Sequence, residues 1–197
     1  MMDVLTHYDL LIAEDNDPFR DPPPLQSYMA GWDGQPFLDA MELAPDKRVL
    51  EIGIGTGRIA AKVAPRCARL TGIDLSPKTI ARAGENLIDH PNITLICGDF
   101  LAHAFEEQYD VIYSSLTMMH FENKGRVLRK VASLLRPGGI FVLSLDKNQS
   151  NFIDMGTRKL QIYPDTPERI IPLLEPLRLT KTIETVFAHI LVCKNGL

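Results

Sequence analysis

VLEIGIGTGRIAAKV, residues 49–63, decides the fold. An apolar run, Val49 to Ile52, ends in three glycines placed at alternate positions, Gly53, Gly55 and Gly57. A segment with helical character follows and stops at Pro65. A strand, a tight turn and a helix in that order make the first unit of a parallel α/β sheet. Glycine lets the backbone turn sharply and approach a ligand closely, because it carries no Cβ.

The same alternation continues downstream. RLTGID (69–74) reads as a second strand, and Ser76–Pro77 supply a cap and a first-turn proline for a helix carrying Ile80, Ala83, Leu87 and Ile88 at helical spacing. NITLICGD (92–99) is a third strand and YDVIYSS (109–115) a fourth, apolar without clean alternation as in a strand buried on both faces. Val127, Leu128, Val131, Leu134 and Leu135 form a helical stripe, and RPGG (136–139) leads into a fifth strand, IFVLSLD. LRLTKTIE and VFAHILVCK close the chain as two consecutive strands. The pattern predicts a doubly wound, mostly parallel seven-stranded sheet with helices on both faces and an antiparallel C-terminal edge hairpin.

Upstream of residue 45 the order is weaker. EDNDPFRDPPP (14–24) is acidic and proline-rich, and Pro22–Pro24 favour an extended segment that stops any earlier helix. Residues 25–43 read as one or two short helices broken near Gly34–Pro36. Residues 147–165 have no strong period, and Thr166–Pro167 open a helix to about Glu175. The expected organisation is a single domain over 1–197: an N-terminal helical cap (1–44), a core (45–146), and a closing segment (147–197) with a loop, a helix and two strands.

With 197 residues, 45% hydrophobic and 23% charged, the chain has the composition of a soluble globular domain. A formal charge of −4 argues against nucleic acid as the main partner. The N-terminus lacks a signal-peptide pattern and no apolar run approaches a membrane span, so the expected location is cytoplasmic. Cys67, Cys97 and Cys193 are far apart and read as reduced thiols, with no metal site. Monomer or homodimer is the expected state.

In a doubly wound sheet, ligands bind beyond the carboxyl ends of the strands where strand order reverses, and the glycine turn sits there. Asp74 ends the next strand, 19 residues after Gly55, where a carboxylate accepts both hydroxyls of a ribose. Together they signal a nucleoside site. The dinucleotide fingerprint G-x-G-x-x-G fails, because Arg58 stands where its third glycine belongs. No triphosphate-binding G-x-x-x-x-G-K-[ST] run exists, and Glu51 ahead of the turn repels a pyrophosphate but tolerates an ammonium group.

LEIGIGTGRIA resembles motif I, E/D-x-G-x-G-x-G, of the class I S-adenosylmethionine-dependent methyltransferases. GIDLSPKTI, ICGDF, YDVIYSS and LLRPGGIFVLS resemble that family's later motifs, in order, over residues 45–146. The resemblance implies S-adenosyl-L-methionine as cofactor and S-adenosyl-L-homocysteine as product. It implies that Gly53, Gly55 and Gly57 line the methionine and ribose part. Glu51 orders that loop and senses the amino group, and Asp74 holds the ribose with Leu75 on the adenine face. Asp99 meets the adenine amine beside Phe100, and Ser115 borders the reacting methyl.

Methyl transfer needs alignment and exclusion of water more than a strong base. His120, after the fourth strand, is a candidate general base or a loop histidine. Asp146 ends the fifth strand at the same sheet edge, as a substrate contact or a turn residue. Tyr28 and Trp32, at i,i+4, form an aromatic wall over the pocket or core contacts of a helix. Arg158 and Lys159 read as a solvated basic pair. The D/N-P-P-Y motif is absent and no long insertion exists, which favours a small-molecule acceptor over a macromolecule. Two other readings stay open: a catalytically silent protein that keeps the cofactor site, and, on fold alone, a nicotinamide-dependent dehydrogenase.

Overall fold

The computed structural model describes residues 2–196; the outer limits expected for the domain, residues 1 and 197, lie outside them. Seven strands form the main sheet: β1 (Arg48–Ile52), β2 (Arg69–Asp74), β3 (Ile93–Cys97), β4 (Tyr109–Ser115), β5 (Leu135–Asp146), β8 (Leu177–Glu184) and β9 (Ala188–Asn195). Their order is β3-β2-β1-β4-β5-β9-β8. The first five are parallel, and β9 runs antiparallel to both β5 and β8. Strand order therefore reverses between β1 and β4, beside the glycine turn, and the two closing strands form the expected antiparallel edge hairpin.

The sheet is buried on both faces, which is why its strands lack clean alternation. Successive residues of β1 point to opposite sides: Val49 joins a cluster with Phe37, Met41, Val63, Tyr113 and Val142, while Leu50 and Ile52 join Ile112, Val127, Leu128 and Phe141. The second cluster is closed by α6 (Lys124–Leu134), whose predicted stripe supplies Val127, Leu128, Val131 and Leu134. α4 (Ala60–Val63) is short and tightens into a 3-10 turn, Ala64–Arg66, at Pro65. α5 (Pro77–Asn86) begins as expected, with the Ser76 hydroxyl accepting from Thr79 N at 3.0 Å.

Departures from expectation lie outside this frame. α1 (Val4–Ala13), which no periodic signal marked, is capped by Asp3. The prolines do not extend the chain: Pro23 and Pro24 occupy the first turn of α2 (Pro23–Met29), where missing N–H groups cost nothing. The break before α3 (Gly34–Ala40) falls at residues 30–33, and Pro36 sits inside its first turn. The featureless segment after β5 contains a hairpin, β6 (Phe152–Asp154) with β7 (Lys159–Gln161). The helix expected up to Glu175 is α7 (Pro167–Ile170) plus a 3-10 turn, Ile171–Leu173, because Pro172 removes an N–H from the helical ladder. Among the described residues no helix is long and apolar enough to cross a membrane.

Candidate cofactor and acceptor site

A cavity of about 430 Å³ opens at the carboxyl ends of β1, β2 and β4. That volume lies in the range of small-molecule and cofactor sites. Glu51, Gly53, Gly55, Asp74, Leu75, Asp99, Phe100, Ser115 and His120 all line it, so nine of the residues singled out in sequence converge on one space.

The glycines divide by task. Gly53 and Gly55 have φ of +76° and +57°, a region costly for residues with a Cβ. A Cβ on Gly53 would overlap the Thr117 side chain, so Gly53 lets the loop after β4 dock on the turn. A Cβ on Gly55 would meet no atom within 4 Å, so the backbone there is bare toward open space. Gly57 is not part of the lining: its φ is +96°, and a Cβ there would lie 2.7 Å from Leu87. It brings the turn against α5.

Asp74 is set by the turn it faces. Gly55 N donates to its Oδ2 at 3.0 Å and Ser76 N to its Oδ1 at 3.0 Å. One backbone donor per oxygen fixes the carboxylate plane and leaves lone pairs for further donors, which suits a vicinal diol. Burial raises its pKa, against the opposing backbone hydrogen bonds. Glu51 is 2% exposed and accepts from the Tyr113 hydroxyl at 2.7 Å. Burial pushes its carboxyl up to about 8, against the pull of that hydrogen bond and of Arg58. A buried acid beside a bare glycine turn suits a ligand ammonium group. Asp99, at the far end, accepts from Leu101 N at 2.7 Å, with the Phe100 ring behind it.

Ser115 donates to Asp33 Oδ2 at 2.8 Å, and Asp33 holds Arg58 in a two-bond fork at 3.0 and 2.6 Å. Burial opposes ionisation of Asp33, but the Arg58 guanidinium prevails and holds its carboxyl below the usual range. Arg58, which broke the dinucleotide fingerprint, thus lines the cavity already neutralised. The loop after β4 carries Leu116 at φ +55°, strained for a branched side chain, and a 3-10 turn that brings His120 to the cavity. His120 Nε2 lies 2.7 Å from the Tyr8 hydroxyl of α1. Burial lowers the histidine to about 4, with His7 and Lys124 adding to the effect.

Three expected contacts fall elsewhere. Tyr28 and Trp32 stand outside the lining; they pack edge-on at 5.2 Å, and both lean on Phe187 after β8. Their rings are engaged by Phe187 and by each other rather than by the cavity. Asp146 borders a separate small hollow and accepts from Asn148 N at 2.8 Å, as a turn residue does. Arg158 is not solvated: it forks onto Glu14 and ties the β6–β7 hairpin to α1. Sequence reasoning missed α1 altogether, although Asp3 before the run Leu10–Ala13 was a usable start signal. Its Val4, Leu5 and Tyr8 cover the cavity, with Asp9 accepting from the Ser76 hydroxyl at 2.6 Å. Among the described residues no cluster of His, Cys, Asp and Glu could hold a metal ion.

Residues 50–143 match the family described as "Methyltransferase domain". Malonyl-[acyl-carrier protein] O-methyltransferase 1 of Ilyobacter polytropus is 32% identical over 106 residues, covering 53% of this chain and 40% of that protein. Ubiquinone biosynthesis O-methyltransferase of Aeromonas salmonicida is 32% identical over 114 residues, covering 55% and 48%. The alignments thus span half or less of these curated relatives. The crystal structure of the N-methyltransferase NodS from Bradyrhizobium japonicum WM9, in complex with S-adenosyl-L-homocysteine, superposes with a TM-score of 0.76 at 20% identity, covering 100% of both chains. That likeness is one of fold.

Proposed function

We propose that the chain, whose residues 50–143 match the methyltransferase domain family, is a class I S-adenosylmethionine-dependent methyltransferase that transfers the cofactor's methyl group to a small-molecule acceptor by in-line displacement. The observation that carries the reading is Asp74, held by Gly55 N and Ser76 N beside a glycine turn that leaves its backbone bare. A pair of carboxylate acceptors for the two hydroxyls and close backbone approach are what an adenosine ribose requires.

The residues present fit the cofactor part by part. Asp74 takes the ribose hydroxyls, Leu75 and Phe100 flank the adenine, and Asp99 takes its amine. Glu51 and the turn from Gly53 to Gly55 receive the amino-acid end. When bound, the cofactor supplies an electrophilic methyl carbon on a sulfonium centre. The protein's own work is then alignment and exclusion of water. α1 and the loop after β4 cover the cavity and hold the acceptor in line, and orientation of this kind lowers a barrier by several kcal/mol. Held there, the cofactor would supply the methyl group and leave as S-adenosyl-L-homocysteine, and the acceptor's proton would pass to solvent water. His120, which burial keeps neutral above about pH 4, stands at this space as the hydrogen-bond partner of Tyr8 and adds no positive charge to it.

Calorimetric titration with S-adenosylmethionine, S-adenosylhomocysteine and NAD tests the reading. Micromolar binding of both sulfur nucleosides, absent for NAD and lost in Asp74→Ala, supports it. A folded protein that binds neither sulfur nucleoside refutes it.

A further inference from the structure

α1 reaches over the cavity and contributes one polar side chain to its lining, Tyr8. Its partner, His120 Nε2, is 2.7 Å away on the loop after β4, 112 residues along the chain. The rings meet edge to face at 5.4 Å, and the His7 ring packs edge-on against Tyr8 at 5.2 Å from the other side. His120 Nδ1 is buried without a hydrogen-bond partner. A buried orphan N–H is costlier than a buried orphan lone pair, so the imidazole proton belongs on Nε2, donating to Tyr8. Tyr8 then keeps one lone pair and its own hydrogen for something in the cavity.

The charges around that space are already spoken for. Arg58 is neutralised by Asp33. Asp74, Asp99 and Glu51 are the acids of the cofactor end, and they repel an anion. The same cavity has an apolar share of lining that includes Val4, Leu5, Pro18, Met29 and Phe121. Among the described residues an anionic acceptor finds no unpaired cation in the lining, and a cationic one would face the sulfonium charge of the bound cofactor.

Resting on the methyl-transfer reading above, we propose that the Tyr8–His120 pair is the acceptor-positioning site, and that the acceptor is a neutral, largely apolar molecule carrying an O–H or N–H nucleophile. His120 fixes the Tyr8 oxygen in place. The free lone pair of that oxygen accepts the hydrogen of the nucleophile, which turns the nucleophile's own lone pair away from Tyr8. The tyrosine reads a protic neutral group, and the apolar walls read the rest.

The test uses the full chain saturated with S-adenosylhomocysteine and three probes of one shape: methyl 4-hydroxybenzoate (neutral), 4-hydroxybenzoate (anionic) and tyramine (cationic). Affinities are read by calorimetry. The neutral phenol is expected to bind at least tenfold tighter than the anionic one, and at least tenfold tighter than tyramine when the assay is repeated with a cofactor analogue that carries a cationic amine in place of the sulfur. Tyr8→Phe should weaken it about tenfold while leaving the affinity for S-adenosylhomocysteine within twofold. His120→Ala should reproduce that loss, and His120→Gln, which keeps an N–H for Tyr8, should recover most of it, an outcome a purely structural role does not produce. A preference for the anionic probe, equal affinity in Tyr8→Phe, or failure of all three probes to bind the loaded protein overturns the proposal. Failure of S-adenosylhomocysteine itself to bind overturns the functional reading beneath it instead.

Discussion

Replacing Glu51 by glutamine should change the proton balance of cofactor binding, and the change can be worked out in advance. Glu51 is buried at the cavity wall with the Tyr113 hydroxyl on one oxygen, and burial lifts its pKa to about 8. In the empty site at pH 7 it therefore carries about 0.9 of a proton. An ammonium group brought to the turn favours the ionised carboxylate and expels that proton. The ligand's own α-amino group, with a pKa near 7.9, takes up about 0.1. Net release is about 0.8 of a proton per ligand bound at pH 7, passing through zero near pH 8 and becoming uptake above it. Glu51→Gln mimics the protonated side chain in size and charge, keeps an oxygen for Tyr113, and should fold. It retains only the ligand's uptake of about 0.1 at pH 7. Calorimetric titration with S-adenosylmethionine in phosphate and in Tris, at equal pH, reads the proton count from the difference in observed enthalpy. If wild type and Glu51→Gln give the same count at pH 7, Glu51 does not sense the ligand's amino group and the reasoning fails.

Three further outcomes follow from other parts of the site. Gly55→Ala puts a methyl group into open space at φ +57°, so thermal stability should drop by only about 1–2 kcal/mol, while cofactor affinity falls well beyond that; unchanged affinity would remove the turn from the site. Asp33→Ala strands Arg58, a side chain only 13% exposed, without its partner. A cost of about 3–5 kcal/mol, or roughly 10 °C in melting temperature, is expected, and Arg58→Met in the same chain should restore much of it. His120 has a folded pKa of about 4 against an ordinary 6.5. The unfolded chain therefore binds a proton that the folded one refuses, and stability present above pH 6.5 is lost as pH falls toward 4, by about 3 kcal/mol in all. His120→Gln should flatten that acid limb in denaturant titrations; an unaltered slope would mean the ring is not desolvated. His7, also lowered by burial, works in the same direction and remains in both proteins.

How much was legible in advance depended on distance along the chain. Asp74 and Gly55 lie one strand apart, and a single β-α-β unit brings them together, so their contact was readable from spacing. The same holds for the Ser76–Pro77 cap and the α6 stripe. Gly57 stands in the expected turn but outside the cavity lining, and the demand for a glycine there comes from Leu87, just past the end of α5 and 30 residues downstream. Tyr28 and Trp32 met the spacing of an aromatic wall. Whether such a pair faces a pocket or another ring is decided by its neighbour, and Phe187 lies far downstream.

The amino-acid sequence by itself determined the parallel core, the position of the glycine turn at its switch point, and the acids that follow β2 and β3. Those features follow from short-range rules: strand and helix periods, glycine at positive φ, proline in first turns. Only the tertiary structure decided what closes the site. It laid α1 across the cavity by Asp9 on Ser76 and Glu14 on Arg158, paired Tyr8 with His120, and set Asp33 between Arg58 and Ser115. Each of these joins segments that share no local period. A charged or hydroxyl side chain has many chemically equivalent partners along the chain, and only the packing of the elements that carry them selects one.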